Sequence, residues 1–260
     1  MLSDLQSLRE RVEEVVAGLD IAEWMGRWRH MQGGTDRERL IRQLVAILPN
    51  ERSPRVLDLC CGPGDVGRAV RARFPEAQVD HVDRDEFFLA LCRAVNQREG
   101  LTHRVVRGDL WTSAWRAECP GPYDAALLAN ALHWFNDRRL LEILGEVRES
   151  LAPGGMFAFL EPASPIADLA APHAAWLAAE LPGASDQFNR DWADFWQRLD
   201  EAMGYEYYEN VVAGLPPGEE FGAEDGLHVT KFVDLLREAG FREVDILARD
   251  AFSVVIAALR

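Results

Sequence analysis

The period of apolar and polar positions changes once along the chain, near residue 50. Before that point, apolar residues recur three and four positions apart, which is the spacing of one face of a helix. This pattern predicts helices over Leu2–Leu19 and Ile21–Met31, and a third helix that ends before Pro49. From Arg55 onwards, short apolar runs alternate with amphipathic helical segments.

Five of these apolar runs predict the strands of a sheet. They lie at Arg55–Cys60, Gln78–Asp83, Arg104–Val106, Tyr123–Ala129 and Met156–Leu160. Strands that alternate with helices and are apolar on both faces are typical of a parallel sheet covered by helices on both sides. Two further runs, Val244–Leu247 and Phe252–Ala258, predict a closing antiparallel pair. The expected fold class is therefore α/β.

Residues 162–226 depart from this alternation. The segment is helical in pattern, is interrupted at Pro182-Gly183 and at Pro216-Pro217-Gly218, and holds nine of the 24 aromatic residues. The chain is thus predicted to have an N-terminal helical lid at 1–50 and a sheet domain at 51–161 and 227–260. An aromatic-rich insertion at 162–226 is predicted to cap the substrate.

The strongest local signal is the glycine turn that ends the first strand, in Val56-Leu-Asp-Leu-Cys-Cys-Gly-Pro-Gly64. Glycine lets a buried strand stop abruptly and lets the backbone approach a ligand closely. The following helix directs its N-terminal N–H groups at whatever occupies the turn. Ligands of open parallel sheets bind at the carboxyl ends of the strands, so the turn is predicted to border a ligand.

Polar residues follow the next three predicted strands. Asp83 ends the second strand, 25 residues after Asp58, where a carboxylate can accept hydrogen bonds from both hydroxyls of a ribose. Asp109 follows the third strand, where an acid could accept a hydrogen bond from an adenine amino group. Asn130 and His133 lie just past the fourth strand.

Together these segments resemble the class I S-adenosylmethionine-dependent methyltransferases, particularly the small-molecule branch that contains the ubiquinone-biosynthesis and trans-aconitate enzymes. The resemblance runs from about Arg55 to Arg260. It implies a Rossmann-like, doubly wound sheet of seven strands with the last strand pair reversed, and S-adenosylmethionine as the cofactor.

The resemblance also implies which residues contact the cofactor. The glycine turn would border its methionine part, Asp83 its ribose and Asp109 its adenine, and Arg29 is a candidate partner of the methionine carboxylate. Asp58 has an alternative interpretation as a structural residue that fixes the turn. The full predicted set is Asp58, Cys60, Gly62, Pro63, Gly64, Asp83, Arg84, Gly108, Asp109, Leu110, Asn130 and Arg29.

A nicotinamide-dependent Rossmann enzyme is the alternative for the same motif. Its G-x-G-x-x-G fingerprint has three glycines, and on this comparison Cys60 takes the place of the first. The methyltransferase family usually has glycine at this position too. The Leu-Ala-Pro-Gly-Gly segment that starts at Leu151 fits a methyltransferase better.

Methyl transfer from a sulfonium mainly needs proximity and alignment, and a base only when the acceptor must lose a proton. His133 is the candidate base, because it lies near the crevice and imidazole titrates near neutral pH; the alternative is a packed histidine. Predicted substrate contacts are Trp134, Glu161, Trp24, Trp192 and Trp196. The alternatives are a loop or capping acid for Glu161, and packing for the tryptophans.

The net charge of −15 over 260 residues limits the partners. A nucleic-acid-binding surface is usually basic, and an anionic membrane surface attracts basic segments, so neither partner is expected. The spacing of the four cysteines suits neither a zinc site nor a disulfide framework, so no metal is expected and the cytoplasm is favoured. Residues 1–10 lack the pattern of a signal peptide. A homodimer is left open.

The sequence therefore predicts an S-adenosylmethionine-dependent methyltransferase that acts on an O or N atom, or on a C atom, of a small metabolite. Specialised bacterial metabolism is the expected setting. The alternative is a protein that keeps the fold but catalyses a rearrangement or cyclisation, with the cofactor structural or absent, since a fold does not fix a function. A non-catalytic binding protein is a third class.

Overall fold

A computed structural model of the protein describes residues 2–49, 53–181, 183–212, 214–223, 226–250 and 252–260. The helices are α1 (Leu2–Ala17), α2 (Ile21–Met31), α3 (Gly34–Ala46), α4 (Asp65–Arg73), α5 (Glu86–Arg98), α6 (Trp115–Glu118), α7 (Asp137–Ser150), α8 (Ala167–Glu180), α9 (Ala184–Met203) and α10 (Val229–Glu238). The strands are β1 (Arg55–Leu59), β2 (Gln78–Asp83), β3 (Arg104–Arg107), β4 (Tyr123–Ala129), β5 (Leu151–Ser164), β6 (Leu227–His228), β7 (Glu243–Arg249) and β8 (Ser253–Leu259). A 3₁₀ turn at Leu132–Trp134 follows β4, and a π-helical turn at Tyr208–Val212 follows α9.

The central sheet has the strand order β3-β2-β1-β4-β5-β8-β7. Strands β1 to β5 are parallel, and β8 is antiparallel to both of its neighbours, β5 and β7. The predicted Rossmann-like α/β fold and its antiparallel closing pair are confirmed. Within that pair β8 runs against the rest of the sheet, whereas β7 runs with it. The two-residue β6, which pairs with the end of β5, was not predicted.

The strand order reverses between β1 and β4, which creates the crevice that ligands of such sheets occupy. From β1 the chain builds β2 and β3 on one side and then returns to build β4 and β5 on the other. The carboxyl ends of β1 and β4 therefore flank the crevice. The segments that follow these two strands begin beside it.

Helices cover the sheet on both faces, and a third apolar core lies beside it. One face packs around Leu57, Ile143 and Phe157, and the other around Leu44 and Val70, all of them buried. The third core joins the N-terminal helices, α5 and α9. Its members include Val12, Trp24, Phe87, Phe195, Trp196 and Leu199. The predicted lid and cap therefore share one core.

Strand β5 differs from its prediction. It was expected to begin at Met156 after a turn at Pro153-Gly154-Gly155, but it begins at Leu151, which pairs with Tyr123 of β4. The register between β4 and β5 then shifts, because Ala125 pairs with Met156. The glycines are thus taken up in an irregularity of the extended chain, where Gly154 has a φ of 81°.

Helix α8 has no buried residue, and its Leu169 and Trp176 side chains are exposed.

Within the described part of the chain, no helix combines the length and the apolarity that a membrane span requires. Residues 50 and 51, the predicted limit between lid and sheet domain, lie outside the described residues. The three-part division of the chain stays a prediction.

Helix α4 approaches the sheet most closely at Gly67. A Cβ atom added to Gly67 would lie 2.2 Å from Cε1 of His81, a fully buried residue of β2. The His81 ring cannot move aside freely, because Asp58 of β1 holds its Nδ1 at 2.9 Å. The absence of a side chain at Gly67 is therefore what lets α4 pack against β1 and β2 at this distance.

Gly67→Ala is expected to lower the free energy of unfolding by at least about 1 kcal/mol, because overpacking outweighs the gain in helix propensity. Urea denaturation measures this change. Gly145→Ala is the matched control, since a Cβ at Gly145 in α7 would meet nothing within 4 Å. The control should be neutral or stabilising by up to about 1 kcal/mol. Equal effects of the two substitutions would contradict this account of α4.

Candidate functional site

The glycine turn after β1 has an unusual backbone. Cys60, Gly62 and Gly64 all have left-handed conformations, with φ values of 48°, 52° and 84°. A left-handed conformation costs a residue with a Cβ about 1–2 kcal/mol. This cost explains why glycine is usual at the position of Cys60 in the resembling family, and it shows that the fold forces the conformation on this cysteine.

Two buried carboxylates hold the turn in place. Asp83, at the end of β2, accepts hydrogen bonds from Gly62 N at 2.8 Å and from Asp85 N at 2.9 Å, one on each carboxylate oxygen. Asp58, in β1, accepts a hydrogen bond from Gly67 N at 3.1 Å. Burial raises the pKa of Asp83, and the backbone N–H groups partly oppose that effect. The predicted ribose acid thus lies against the predicted glycine turn.

The third strand brings its predicted residues to the same edge. Gly108 N donates to the backbone O of Asp83 at 2.8 Å. Asp109 accepts a hydrogen bond from Trp111 N at 2.9 Å, and its second oxygen lies 3.9 Å from Nε of Arg84. Leu110 is buried nearby. The predicted ribose and adenine residues therefore form one continuous edge.

The N-terminal helices close the opposite side of the turn around Asp65, the first residue of α4. Trp28 Nε1 donates to Asp65 at 3.1 Å, and its ring lies 3.2 Å from where a Cβ of Gly62 would be. Arg29 Nε lies 3.2 Å from Asp65, and Arg37 and Arg68 also pair with it.

Three guanidinium groups thus face one carboxylate. Burial tends to raise the pKa of Asp65, but Arg68, Arg37 and Arg29 outweigh it and the net pKa is lowered. A surplus of positive charge remains beside the glycine turn, as a carboxylate ligand requires. The sequence prediction included Arg29 but missed Asp65, Arg37 and Arg68.

The second polar cluster lies at the ends of β4 and β5. Glu161 is fully buried and accepts hydrogen bonds from the backbone N–H groups of Ala131, Leu132 and His133, at 2.7, 2.8 and 3.3 Å. It also contacts Nδ1 of His133 at 2.7 Å. Both Glu161 oxygens are thus engaged by the 3₁₀ turn. Glu161 was predicted to face the substrate, with a loop or capping acid as the alternative, and its contacts with the N–H groups of the 3₁₀ turn are those of a capping acid.

Asn130 connects this turn to the lid. It has a left-handed φ of 59°, and its N–H donates to Leu160 O at 2.8 Å. Its side-chain amide donates to Gln32 Oε1 at 3.1 Å. The residue predicted to line the methionine side of the crevice therefore bonds to the end of α2.

The predicted tryptophans fall into two groups. Trp134 lies beside His133, with ring centroids 5.1 Å apart, and stacks on Trp192 at 6.3 Å. Phe221 packs edge-on to Trp134 at 5.6 Å. Trp24 and Trp196 are instead buried in the third core. Trp134 therefore lies at the candidate base, and Trp192 lies between Trp134 and Trp196, with its ring centroid 5.7 Å from that of Trp196. Trp24 and Trp196 pack between helices.

The cap is anchored to the loop that carries Asp83. Tyr207, which follows α9, donates its hydroxyl to Asp85 at 2.7 Å, and Arg84 donates to Gly214 O at 2.7 Å. Burial and the neighbouring Asp83 charge raise the pKa of Asp85 to about 7. This hydrogen bond between Tyr207 and Asp85 was not predicted from the sequence, because the two residues lie 122 positions apart.

The third glycine, Gly67, was also overlooked. Gly62, Gly64 and Gly67 have the G-x-G-x-x-G spacing, so the argument that Cys60 must replace the first glycine was wrong. The choice between methyltransferase and nicotinamide enzyme therefore depends on the other segments and on similarity to known proteins.

Comparisons with known proteins point to one class. Residues 56–155 match the family model described as "Methyltransferase domain". Trans-aconitate 2-methyltransferase of Variovorax paradoxus is 33% identical over 128 residues, 49% of this chain and 46% of that protein. Demethylmenaquinone methyltransferase of Thermus thermophilus is 32% identical over 121 residues, 46% of this chain and 53% of that protein. The match thus spans about half the length of these relatives.

The solved structure of PigF with SAH has the same fold. It aligns with a TM-score of 0.55 at 19% sequence identity, over 85% of this chain and 54% of that one. At this identity the likeness concerns the fold alone, and the fold extends well beyond the segment that the family model matches.

Asp85→Asn is expected to flatten the pH dependence of stability. In the folded state Asp85 keeps its proton up to a pKa of about 7, whereas its ordinary value is 3.8. Between these values the folded state binds more protons, so this group lowers stability as pH rises, and the loss is complete above about pH 7. The wild-type melting temperature should therefore fall more from pH 5 to pH 8 than that of the variant.

Asp168→Asn, on exposed helix α8, is the control for the change in net charge. It should keep the wild-type pH dependence. If the variant at residue 85 showed the full wild-type fall in melting temperature, the raised pKa of Asp85 would be contradicted.

Proposed function

We propose that this chain, of which residues 56–155 match a methyltransferase domain, is a class I S-adenosylmethionine-dependent methyltransferase that transfers the methyl group to a small-molecule metabolite. The observation that carries the proposal is the position of Asp83 against the glycine turn, with Gly62 N at 2.8 Å from its carboxylate. The catalysed step, the acceptor and the residue roles below are parts of this proposal.

The residues present fit the cofactor. Each Asp83 oxygen accepts one backbone hydrogen bond, and an ionised carboxylate can accept about four, which leaves capacity for two ribose hydroxyls. The arginines around Asp65 supply positive charge for a carboxylate. Bound S-adenosylmethionine supplies a methyl group on a positively charged sulfur, which needs no further activation by the protein.

What remains for the protein is alignment and, for an acceptor with a proton, a base. Alignment of two reactants can contribute about 7–11 kcal/mol to lowering a barrier. Glu161 holds Nδ1 of His133 at 2.7 Å, which favours the tautomer with a proton on Nδ1 and a lone pair on Nε2. His133 is then oriented to take a proton from an acceptor hydroxyl or amine at Nε2.

The acceptor we propose is a compact, planar or apolar metabolite. Trp134 lies beside His133, and Trp192 and Phe221 pack against Trp134. These rings offer aromatic faces that suit such a ligand. The net charge of −15 disfavours nucleic acid. The acceptor atom is O or N, with C as the further option, and specialised bacterial metabolism is the setting that we favour.

Calorimetry with S-adenosylhomocysteine tests the cofactor site. The wild type is expected to bind, and Asp83→Ala should weaken binding by about 10–100-fold, because hydrogen bonds to a charged group are lost. Asp124→Ala is the matched control. Asp124 also accepts a backbone hydrogen bond, from Arg55 N at 2.8 Å, but at the opposite end of β1. Wild-type protein that binds neither S-adenosylmethionine nor S-adenosylhomocysteine would overturn the proposal.

His133→Ala is expected to lower turnover by about 10²–10⁴-fold, the usual contribution of a general base, while S-adenosylhomocysteine affinity changes only a few-fold. Glu161→Gln should also lower turnover, because an amide N–H facing Nδ1 favours the wrong tautomer. Mass spectrometry measures the rate as gain of one methyl group and release of S-adenosylhomocysteine over a panel of small phenols, amines and carboxylic acids.

A product without the added methyl group would favour the rearrangement alternative instead. Equal loss of turnover and of cofactor affinity in His133→Ala would show that His133 is structural.

A further inference from the structure

The fold assembles a group of potential metal ligands beneath the glycine turn. Cys61 follows β1, His81 lies in β2 and Cys92 lies in α5. The two sulfur atoms and a ring nitrogen of His81 all lie within 4.8 Å of one another. Among the described residues, this is the one group of three such side chains found at metal-binding distances. We propose that Cys61, His81 and Cys92 bind a thiophilic divalent metal ion of the zinc type.

This proposal reverses an expectation from the sequence. The cysteines were judged unsuited to a zinc site because no two of them show a CxxC spacing. That judgement considered distance along the chain, whereas these ligands come from three separate elements. Parallel pairing of β1 with β2 and the packing of α5 bring them together.

The three side chains of this cluster are buried, unlike the exposed polar side chains that often lie together on a protein surface by chance. Cys61 is 7% exposed, and His81 and Cys92 are fully buried. Nε2 of His81 is a buried atom without a hydrogen-bond partner among the described residues. A buried polar atom left unsatisfied costs about 1–3 kcal/mol, so it calls for an explanation, and a bound ion provides one.

The surroundings have the chemistry of a zinc site. Thiolate sulfur and imidazole nitrogen are the ligands that zinc prefers. Asp58 contacts Nδ1 of His81 at 2.9 Å. A carboxylate on one ring nitrogen orients a metal-bound histidine when the other nitrogen, here Nε2, binds the ion.

Little movement is needed to bind the ion. Ligand atoms around a tetrahedral zinc lie about 3.5 Å apart, given bonds of about 2.0–2.3 Å. The ligand atoms, which lie within 4.8 Å of one another, therefore need to approach by at most about 1.3 Å.

The location assigns the ion a structural role. A Cβ added to Gly64 would lie 2.8 Å from the sulfur of Cys92, so the cluster lies directly under the turn. An ion bound by Cys61, His81 and Cys92 would link the turn to β2 and α5. It is not placed to act on an acceptor beside His133, and the inference does not depend on methyl transfer.

Metal analysis of the full-length protein tests the site. Protein produced in zinc-supplemented medium and freed of loose metal is expected to retain about one zinc per chain. Replacement by cobalt should give the near-ultraviolet absorption of a thiolate-to-cobalt transition. Excess zinc should raise the melting temperature of chelator-treated protein by several degrees.

Cys61→Ser and Cys92→Ser are expected to lower zinc content at least about tenfold. Cys119→Ser is the matched control, because Cys119 is equally buried but packs in a different core, and it should retain the metal. Circular dichroism verifies that each variant is folded.

Three results would overturn the proposal, and the first two use the wild type alone. One is wild-type protein without retained zinc and without the cobalt–thiolate absorption. Another is a mass 2 Da lower in air with two thiols missing, which would show a Cys61–Cys92 disulfide instead. The last is full zinc retention in folded Cys92→Ser, which would place the metal elsewhere.

Discussion

The hydrogen bond from Gly62 N to the Asp83 carboxylate fixes the geometry on which the rest of the site depends. It joins the turn after β1 to the end of β2 at 2.8 Å, and it holds backbone that is left-handed at Cys60, Gly62 and Gly64. A cysteine tolerates such a conformation only when the surrounding structure determines it. The same carboxylate is the proposed ribose ligand. The group that holds the turn would then also bind the cofactor, and the turn would already have its bound conformation before the cofactor arrives.

The N-terminal helices and the cap behave as one structure around this turn. They share the core that contains Val12, Phe195 and Leu199, and the cap is tied to the Asp83 loop through Tyr207 and Asp85. Asp85, to which the cap is attached, is two residues along the chain from Asp83. A ligand bound at Asp83 would therefore lie close to this attachment. A movement of the segment that carries Tyr207 away from the Asp83 loop would break this buried hydrogen bond.

Elements that are local in sequence could be predicted, and long-range pairings could not. Strands β2 and β4 were predicted with their observed bounds. In β4 an apolar run indicates a buried strand directly, whereas β2 contains four polar residues. Glu161 and His133 were both selected, yet their contact follows from the pairing of β4 with β5, 28 residues apart. Gly67 was overlooked although its spacing is visible in the sequence, since its reason, the His81 ring beneath it, is visible only in the fold.

Among the described residues, two carboxylate–histidine pairs are buried, Asp58 with His81 and Glu161 with His133, and their surroundings indicate different roles. Asp58 and His81 lie within the sheet and are fully buried, with Nε2 of His81 enclosed and unpaired. Glu161 and His133 have a similar contact, 2.7 Å against 2.9 Å, but the His133 side chain is 8% exposed and lies beside Trp134. Proton exchange with an acceptor needs a ring nitrogen that a ligand can reach. The enclosed pair therefore suits a structural role or an ion held in the interior, and the pair beside the aromatic cluster suits acid–base chemistry.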